Sequence, residues 1–425
     1  MRILLTVCSD KSLFYSMVPL AWALRTAGHE VRVASQPKLA DTITQAGLTA
    51  VPLGRDHRIW QALSRNPEKR RAVRAGLLEP YDVVERPDVT WEHLIKGYDH
   101  QVTWWHKAEN FPIVDQLVTF ARHWRPDLVI WEPVSYAGSI AAEAVGAAHG
   151  RLLWSMDVFG LTRERFLRMK SIEDNAGDPL REWLAANAAK HGVEFSEDLV
   201  TGQFTIDQFP SSLRMSADLD YVPMRYTPYG GPAAVPQWLT VPPERPRVAL
   251  TLGITATDHF DGYTVNLPSI LDSLSDLDVE IVATVADKER HKLDRVPGNA
   301  RIVPYVPLHA LVPTCAAVIH HAGPGTLATT SLHAVPQLTL PWDFDEPALA
   351  RKLARQGTGL TLDPTAATGE TVRDGLLRLM NEPVFRASAE KLRDEMLDMP
   401  TPNDIVTRLE ELTTGRQSHA RPVRH

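Results

Sequence analysis

Cysteine is almost absent from this sequence, and long hydrophobic runs are missing. Cys8 and Cys315 are the only cysteines among 425 residues, which excludes a disulfide framework and a cysteine-rich zinc site. Their apolar surroundings predict two small core residues. No segment approaches the about 18 consecutive apolar residues of a transmembrane helix. The opening MRILLTVCSDK has too short an apolar run for a signal peptide and no cleavage site, so we expect a cytoplasmic protein.

An excess of positive charge is also missing. Lysine and arginine total 45 against 52 acidic residues, a net charge of −7, which makes nucleic acid a poor candidate partner. Apolar residues are 44% of the chain, enough to fill globular cores. At roughly 100–200 residues per domain, two domains are the simplest division. His, Asp and Glu do not cluster with metal-ligand spacing, so we expect no metal, and no resident cofactor.

The first half alternates short apolar strands with helices. Strands are predicted at 3–7, 30–34 and 49–53, with helices around 18–25 and 39–46 between them. This alternation predicts a parallel sheet with right-handed helical crossovers.

A segment rich in Arg, His and Trp interrupts this pattern. Residues 57–124 lack strand signals, and we predict inserted helices and loops. The alternation resumes with a strand at 127–132, a helix at 137–148 and a strand at 151–155. Residues 160–220 are predicted to be mostly helical.

Five prolines between positions 232 and 246 predict an extended linker, because proline has no amide hydrogen for backbone pairing. After it the alternation restarts. The predicted strands are 248–252, 279–285, 301–306, 316–321, 337–340 and 360–362, and the predicted helices are 267–277, 326–334, 348–355, 370–381, 384–398 and 403–413. The predicted fold is therefore α/β, with two doubly wound halves and a cleft between them. Its parts are a first domain at 1–231, the linker at 232–246, a second domain at 247–402, and a C-terminal helix and tail at 403–425 that returns to the first domain.

The segment His320-His-Ala-Gly-Pro-Gly-Thr326 carries the clearest chemical signal. A strand ends at the histidines, a glycine turn follows, and a helix begins. The free amides and partial positive charge of a helix start can hold a phosphate, and glycine allows close approach of the backbone. With a donor from His321 and the Thr326 hydroxyl, the turn could neutralise a diphosphate without a metal.

The same turn also resembles a dinucleotide fingerprint. Gly323-x-Gly325-x-x-Ala328 is followed about twenty residues later by Asp345. However, the turn lies late in its domain, and Pro324 removes an amide that a pyrophosphate clamp would use. We therefore disfavour a nicotinamide cofactor.

Two carboxylates follow a later strand in the segment Pro341-Trp-Asp-Phe-Asp-Glu-Pro347. Asp345 and Glu346 are expected at the carboxyl end of that strand, beside the phosphate turn. Carboxylates in this position suit the hydroxyl or amino groups of a sugar. The alternative is that one of them only caps the following helix.

These motifs resemble a known enzyme family. The turn at 320–326, the Asp345-Glu346 pair and the segment Val18-Pro-Leu-Ala-Trp-Ala-Leu-Arg are similar to those of actinobacterial antibiotic-pathway glycosyltransferases of the two-domain GT-B type. Further likeness lies in 131–138, 199–207 and 224–229, and it points to the activator-dependent deoxysugar transferases, which include desosaminyltransferase and anthracycline aminosugar transferases. The resemblance covers nearly the whole chain and implies two Rossmann-like domains facing a central cleft.

The resemblance also implies a nucleotide-sugar site. Its members are Gly253, Ile254, Thr255, Val306, Leu308, His321, Ala322, Gly323, Gly325, Thr326, Asp345 and Glu346. His321 matches the family's diphosphate-binding histidine, which stabilises the leaving group, and Val306 and Leu308 lie where the family packs thymine. Asp345 and Glu346 match the sugar-contacting pair, whose second member is often Gln. Glu346 is compatible with an amino or deoxy sugar.

The sequence departs from the family at the catalytic base. Many relatives have a histidine before the Val-Pro-Leu helix that accepts the proton of the acceptor hydroxyl, and here Leu13 fills that place. A general base typically contributes about 10²–10⁴-fold. Glu132 is our first replacement candidate and Asp10 our second, although Glu132 could instead bind loop amides. Otherwise the acceptor is itself acidic, the new bond is to carbon or nitrogen, or catalysis is weak.

The expected function is inverting, metal-independent transfer of a deoxysugar, by expectation an aminodeoxyhexose, from a dTDP-sugar to a hydrophobic polyketide aglycone. The alternatives are a silent homologue that supports another transferase, and a sugar-nucleotide epimerase, which would need no large apolar acceptor pocket. The resemblance further implies a cytochrome-P450-like activator protein that docks on the N-terminal helices. The basic run at 65–74 is a candidate contact for it, or simply a solvated helix face.

Overall fold

The first half of the chain forms a parallel seven-stranded sheet. The computed structural model describes residues 1–420 except 67, 69–72, 74–75, 87, 174–176, 254–256, 258–259 and 261. The strands are β1 Arg2–Thr6, β2 Glu30–Ser35, β3 Thr49–Pro52, β4 Leu128–Trp131, β5 Ala148–Leu152, β6 Thr205–Asp207 and β7 Tyr221–Pro223. They lie in the order β3-β2-β1-β4-β5-β6-β7. The order reverses beside β1, which opens a crevice at the carboxyl ends of β1 and β4.

The second half forms a parallel six-stranded sheet. Its strands are β8 Arg247–Thr251, β9 Glu280–Thr284, β10 Ala300–Val303, β11 Cys315–His320, β12 Gln337–Thr339 and β13 Gly359–Thr361. They lie in the order β10-β9-β8-β11-β12-β13. Here the order reverses between β8 and β11, so the second crevice opens at the carboxyl ends of these two strands.

Helices cover both faces of the first sheet. They are α1 Lys11–Thr26, α2 Ala40–Gln45, α3 Ile59–Ser64, α4 Trp91–Gln101, α5 Lys107–Asn110, α6 Val114–Trp124, α7 Tyr136–Glu143, α8 Val158–Lys170, α9 Pro179–Ala189 and α10 Asp198–Thr201, with 3-10 helices at Pro37–Leu39 and Tyr81–Val84. A π-helical segment, Val102–His106, joins α4 to α5. The described part of the insertion at 57–124 is helical, and it buries Leu94 and Leu117 in one core with Val129 of β4.

The second sheet is covered in the same way. Its helices are α11 Leu267–Ser273, α12 Asp287–Arg290, α13 Leu308–Leu311, α14 Pro324–Leu332, α15 Glu346–Arg355, α16 Gly369–Asn381 and α17 Pro383–Leu397, with 3-10 helices at Gln237–Thr240 and Val312–Thr314. The last helix, α18 Val406–Ala420, packs on the first sheet, because Val406 and Leu409 share a core with Ile3 of β1. The chain therefore crosses between the halves twice.

Two strands of the first sheet were missed in the sequence. The prediction that 160–220 is mostly helical is wrong at β6, and β7 lies just beyond that segment, where no strand was predicted. Each of the two strands is only three residues long. Such short strands contain too few apolar residues to show an alternating pattern. The strand predicted at 151–155 begins three residues earlier, at Ala148. The prediction missed its start because polar residues occupy this fully buried strand.

A buried ion pair explains how strand β5 tolerates the charge of Arg151. Its guanidinium is fully buried and donates to both carboxylate oxygens of Asp157, at 3.1 and 2.7 Å. The Thr201 carbonyl accepts a further bond at 2.7 Å. Asp157 also accepts from the Tyr221 hydroxyl at 2.8 Å and caps α8 through the Gly160 amide at 2.8 Å. The pair thus joins β5, β7 and α8 at one point.

Replacing Asp157 by Ala is expected to reduce the free energy of unfolding by about 3–5 kcal/mol, because it leaves the Arg151 charge buried without its partner. Urea denaturation followed by circular dichroism measures this change. Glu382→Ala, which removes the exposed partner of Arg378, is the matched control and should leave the midpoint unchanged. Equal midpoints for the two variants would contradict the structural importance of the buried pair.

Candidate active site

A cavity of about 450 Å³ lies where the two crevices face each other, within the usual size of ligand sites. Ser9 follows β1, Thr251 ends β8 and His321 follows β11, so the carboxyl ends of both sheets contribute to its wall. Much of the remaining wall is aromatic. Its aromatic residues include Trp60, Tyr81, Trp105, Trp154, Phe159 and Phe344. The cavity therefore has a polar end at β11 and a broad apolar side that comes mostly from the first half.

His320 holds the turn after β11 in place. Its Nδ1 accepts from the Ala322 amide at 3.0 Å, so Nε2 carries the proton and donates to Gln337 Oε1 at 2.8 Å. Gln337 in turn donates to the Ser331 hydroxyl at 2.9 Å. Burial lowers the pKa of His320 to about 3, which keeps the ring neutral. The network supports Ala322 in a left-handed conformation, φ 69°.

The imidazole of His321 lies between two glycines. A Cβ atom on Gly253 would lie 2.6 Å from the ring, and one on Gly323 would lie 2.3 Å from Nε2. Gly253 also has φ 74°, where glycine is favoured. Burial lowers the pKa of His321 to about 4, partly offset by the Thr251 backbone. The ring is therefore neutral at pH 7 and offers one N–H donor in a fixed position.

The start of α14 adds backbone donors beside this ring. The first intrahelical hydrogen bond runs from the Leu327 amide to the Gly323 carbonyl, at 3.0 Å. The amides of Gly325 and Thr326 precede it, while Pro324 has none. Both residues line the cavity, as His321 does, so the amides of the predicted anion site at 320–326 and the neutral imidazole border the same space.

Asp345 and Glu346 lie at the same end of the cavity. Glu346 Oε2 accepts from the amides of Trp342 and Asp343 at 3.1 and 2.9 Å, and Oε1 is 3.6 Å from His321 Nε2. Glu346 thus stabilises its own turn as well as facing the histidine. Asp345 makes no capping bond to α15, and burial raises its pKa to about 7. Burial also raises the pKa of Glu346 well above its usual range.

The residues predicted to pack against the thymine base line the same cavity. Val306 is buried and Leu308 begins α13, and both line the cavity. Gly253 also lines the cavity, whereas the predicted Ile254 and Thr255 lie outside the described residues. Within the described part of the chain, no group of three His, Cys, Asp or Glu side chains is placed to hold a metal ion.

The two predicted base candidates differ in their surroundings. Glu132 is fully buried and does not line the cavity. Its two oxygens accept from the Ser135 hydroxyl at 2.6 Å and the Val134 amide at 3.0 Å, as in the structural alternative. Asp10 lines the cavity and caps α1, accepting from the Ser12 amide at 2.7 Å. Leu13 also lines it.

Sequence reasoning missed a third carboxylate, Glu109 in α5. It is buried in the cavity wall, and its Oε1 lies 3.5 Å from Nε2 of His57. Burial raises the pKa of Glu109 to about 8. Nothing in the segment Lys107-Ala-Glu-Asn110 signals a site, because a charged residue on a short helix usually faces solvent.

Comparison with known proteins gives consistent matches over the whole chain. The family described as "Erythromycin biosynthesis protein CIII-like" matches through its N-terminal domain at 22–253 and its C-terminal domain at 268–412. The 10-deoxymethynolide desosaminyltransferase of Streptomyces venezuelae is 44% identical, and the TDP-daunosamine transferase DnrS of Streptomyces peucetius is 43% identical, each match covering 100% of both chains. No helix in the described part of this chain is long and apolar enough to cross a membrane.

Solved structures give the same result. The glycosyltransferase VinC, crystallised in complex with dTDP, superposes with a TM-score of 0.87 at 38% identity, covering 98% of this chain and 100% of VinC. The spinosyn forosaminyltransferase SpnP superposes with a TM-score of 0.81 at 38% identity, covering 97% and 99%. The predicted GT-B fold and enzyme class are confirmed, and the chain belongs to the erythromycin biosynthesis protein CIII-like family of glycosyltransferases.

Proposed function

We propose that the protein transfers a deoxysugar, an aminodeoxyhexose by preference, from its dTDP conjugate to a polyketide aglycone. One of the similar proteins is a desosaminyltransferase and another is a TDP-daunosamine transferase. VinC was crystallised with dTDP. The observation that carries the proposal is the fixed, neutral His321 ring beside the free amides of α14. This arrangement suits a departing diphosphate.

In the proposed reaction, the diphosphate lies against the start of α14. The amides of Gly325 and Thr326 bind its oxygens, and His321 donates one hydrogen bond as negative charge develops on the leaving group. These donors stand ready before the reaction, so little reorganisation is required. No metal is needed in this scheme, because backbone dipoles and the imidazole share the charge.

Attack from the opposite face of the anomeric carbon would invert its configuration. The acceptor would approach from the aromatic side of the cavity, where Tyr81, Trp105 and Phe159 offer apolar surface to a polyketide. Holding acceptor and sugar in line is itself a large contribution to rate.

The sugar would lie between the diphosphate and Asp345. Buried carboxyls with raised pKa values can accept from hydroxyls when ionised or donate when protonated. An ammonium group on the sugar would favour their ionised forms. Asp345 and Glu346 therefore suit an aminodeoxyhexose. A silent partner role has less support, since the similar proteins named above are themselves transferases.

An auxiliary activator protein is part of the proposal. A cytochrome-P450-like protein would dock on the N-terminal helices and raise turnover without contributing haem chemistry. The basic run at 65–74, a candidate contact, lies mostly outside the described residues. Turnover with and without such a protein tests the requirement directly.

His321→Ala should lower kcat about 10²–10³-fold, because a preorganised donor to the leaving group is lost. Transfer from a dTDP-deoxysugar, followed by liquid chromatography, measures it. His123→Ala, on the exposed face of α6, is the matched control and should retain full activity. Near-normal turnover of His321→Ala would remove the leaving-group assignment.

Gly323→Ala tests the same group through its packing. The added Cβ would meet His321 Nε2 at 2.3 Å, so the ring must move. A displacement of about 1 Å should lower the rate about 10²-fold. Gly298→Ala is the control, because its Cβ would meet nothing within 4 Å. If both alanine variants turned over equally, the position of the ring would not matter for catalysis.

A further inference from the structure

The acceptor side of the cavity contains a carboxylate that the proposed function leaves without a role. Glu109 is only 5% exposed, and its Oε2 has no hydrogen-bond partner among the described residues. An unpartnered carboxylate oxygen in a cavity wall is costly unless a ligand or function uses it. Its other oxygen, Oε1, lies 3.5 Å from His57 Nε2, and His57 lines the same wall.

Glu109 is held in the wall by its neighbours in the chain. Trp105 and His106, in the π-helical segment before α5, line the cavity together with Glu109. Asn110 ties this segment to the end of β4 and to α7. Its amide donates to the carbonyls of His106 and Val134, both at 2.9 Å, and its oxygen accepts from the Ala137 amide at 2.8 Å.

Glu109 also lies close to the usual place of the base. Glu109, Asp10 and Glu132 lie close enough to Cys8, which follows β1, for each carboxylate to raise the pKa of its thiol. Asp10 and Glu132 likewise raise that of Glu109. Leu13, in the first turn of α1, lines the same cavity. A carboxylate from the inserted helices thus lines the same cavity as Leu13, the position where relatives are expected to have a histidine.

We propose that Glu109 is the general base that accepts the proton of the acceptor hydroxyl, with His57 as a positioning residue for its Oε1. This rests on the proposed function. The acceptor O–H bond breaks as its oxygen bonds to the anomeric carbon, and the bond from that carbon to the diphosphate oxygen breaks. The electron pair leaves with the diphosphate toward His321, and the proton stays on Glu109.

The geometry favours Glu109 over the other two carboxylates. Both oxygens of Glu132 are used by Ser135 and Val134, and Glu132 does not line the cavity. Asp10 lines the cavity, but one of its oxygens is used by the Ser12 amide and hydroxyl. The raised pKa of Glu109, about 8, also suits a group that must hold a proton near neutral pH.

The test is the pH dependence of kcat/KM for the acceptor. Because the base must be ionised, log kcat/KM should rise with pH and level off above a pKa of about 8. Glu109→Gln should abolish this rise and lower the plateau about 10²–10⁴-fold. Glu92→Gln, on the exposed face of α4, is the matched control and should keep the wild-type profile. Asp10→Asn should retain an inflection, shifted to lower pH because the Asp10 charge that raises the pKa of Glu109 is removed.

A second measurement separates catalysis from folding. Calorimetric titration with dTDP should give the wild-type affinity for Glu109→Gln, because the donor end is untouched. An acidic phenol acceptor should restore much of the lost rate, since it needs no base, whereas damage to packing would slow both acceptors equally.

The outcomes are distinguishable. A wild-type protein that binds no dTDP and transfers no sugar overturns the proposed function and the base with it. If the wild-type protein transfers sugar but Glu109→Gln keeps the wild-type pH profile, the assignment of Glu109 as the base is overturned and the proposed function is not. The same holds if the inflection is lost in Asp10→Asn and kept in Glu109→Gln.

Discussion

The placement of one imidazole between two glycines determines what the rest of the site can do. His321 follows a buried strand, and Gly253 and Gly323 leave the space that its ring occupies. Behind it, His320 and Gln337 hold the turn in a strained left-handed conformation. The buried ring is neutral, so it donates a hydrogen bond without repelling or attracting a full charge before the reaction. The strained backbone of Ala322 is therefore maintained by these contacts, and it fixes the position of the neighbouring donor, His321.

The two ends of the cavity use burial in different ways. At the donor end, burial lowers the pKa of His321 and raises that of Asp345, which gives a neutral imidazole and a carboxyl whose charge depends on the ligand bound beside it. At the acceptor end, burial raises the pKa of Glu109 among aromatic side chains. Burial thus adjusts the protonation of groups at both ends of one cavity, where a charged leaving group and an apolar acceptor are proposed to bind.

Much of this could be predicted from the sequence, for physical reasons. The turn at 320–326 is local, so its strand, glycines and helix start are contiguous, and strong apolar runs such as β4 and β11 specify parallel strands. β6 and β7 were missed because three-residue strands contain little pattern, and the contact of β6 with Arg151 joins residues 54 positions apart in the chain. Glu109 was missed because its environment is created by residues far apart in the chain, among them His57 and Asp10. Local sequence does not encode such burial.

A crystal structure with bound dTDP tests the central claim most directly. We predict diphosphate oxygens at about 2.7–3.1 Å from the amides of Gly325 and Thr326 and from the imidazole of His321. Diphosphate bound elsewhere, with the His321 ring and the start of α14 in contact with no part of the nucleotide, would contradict the assignment of this turn as the leaving-group site.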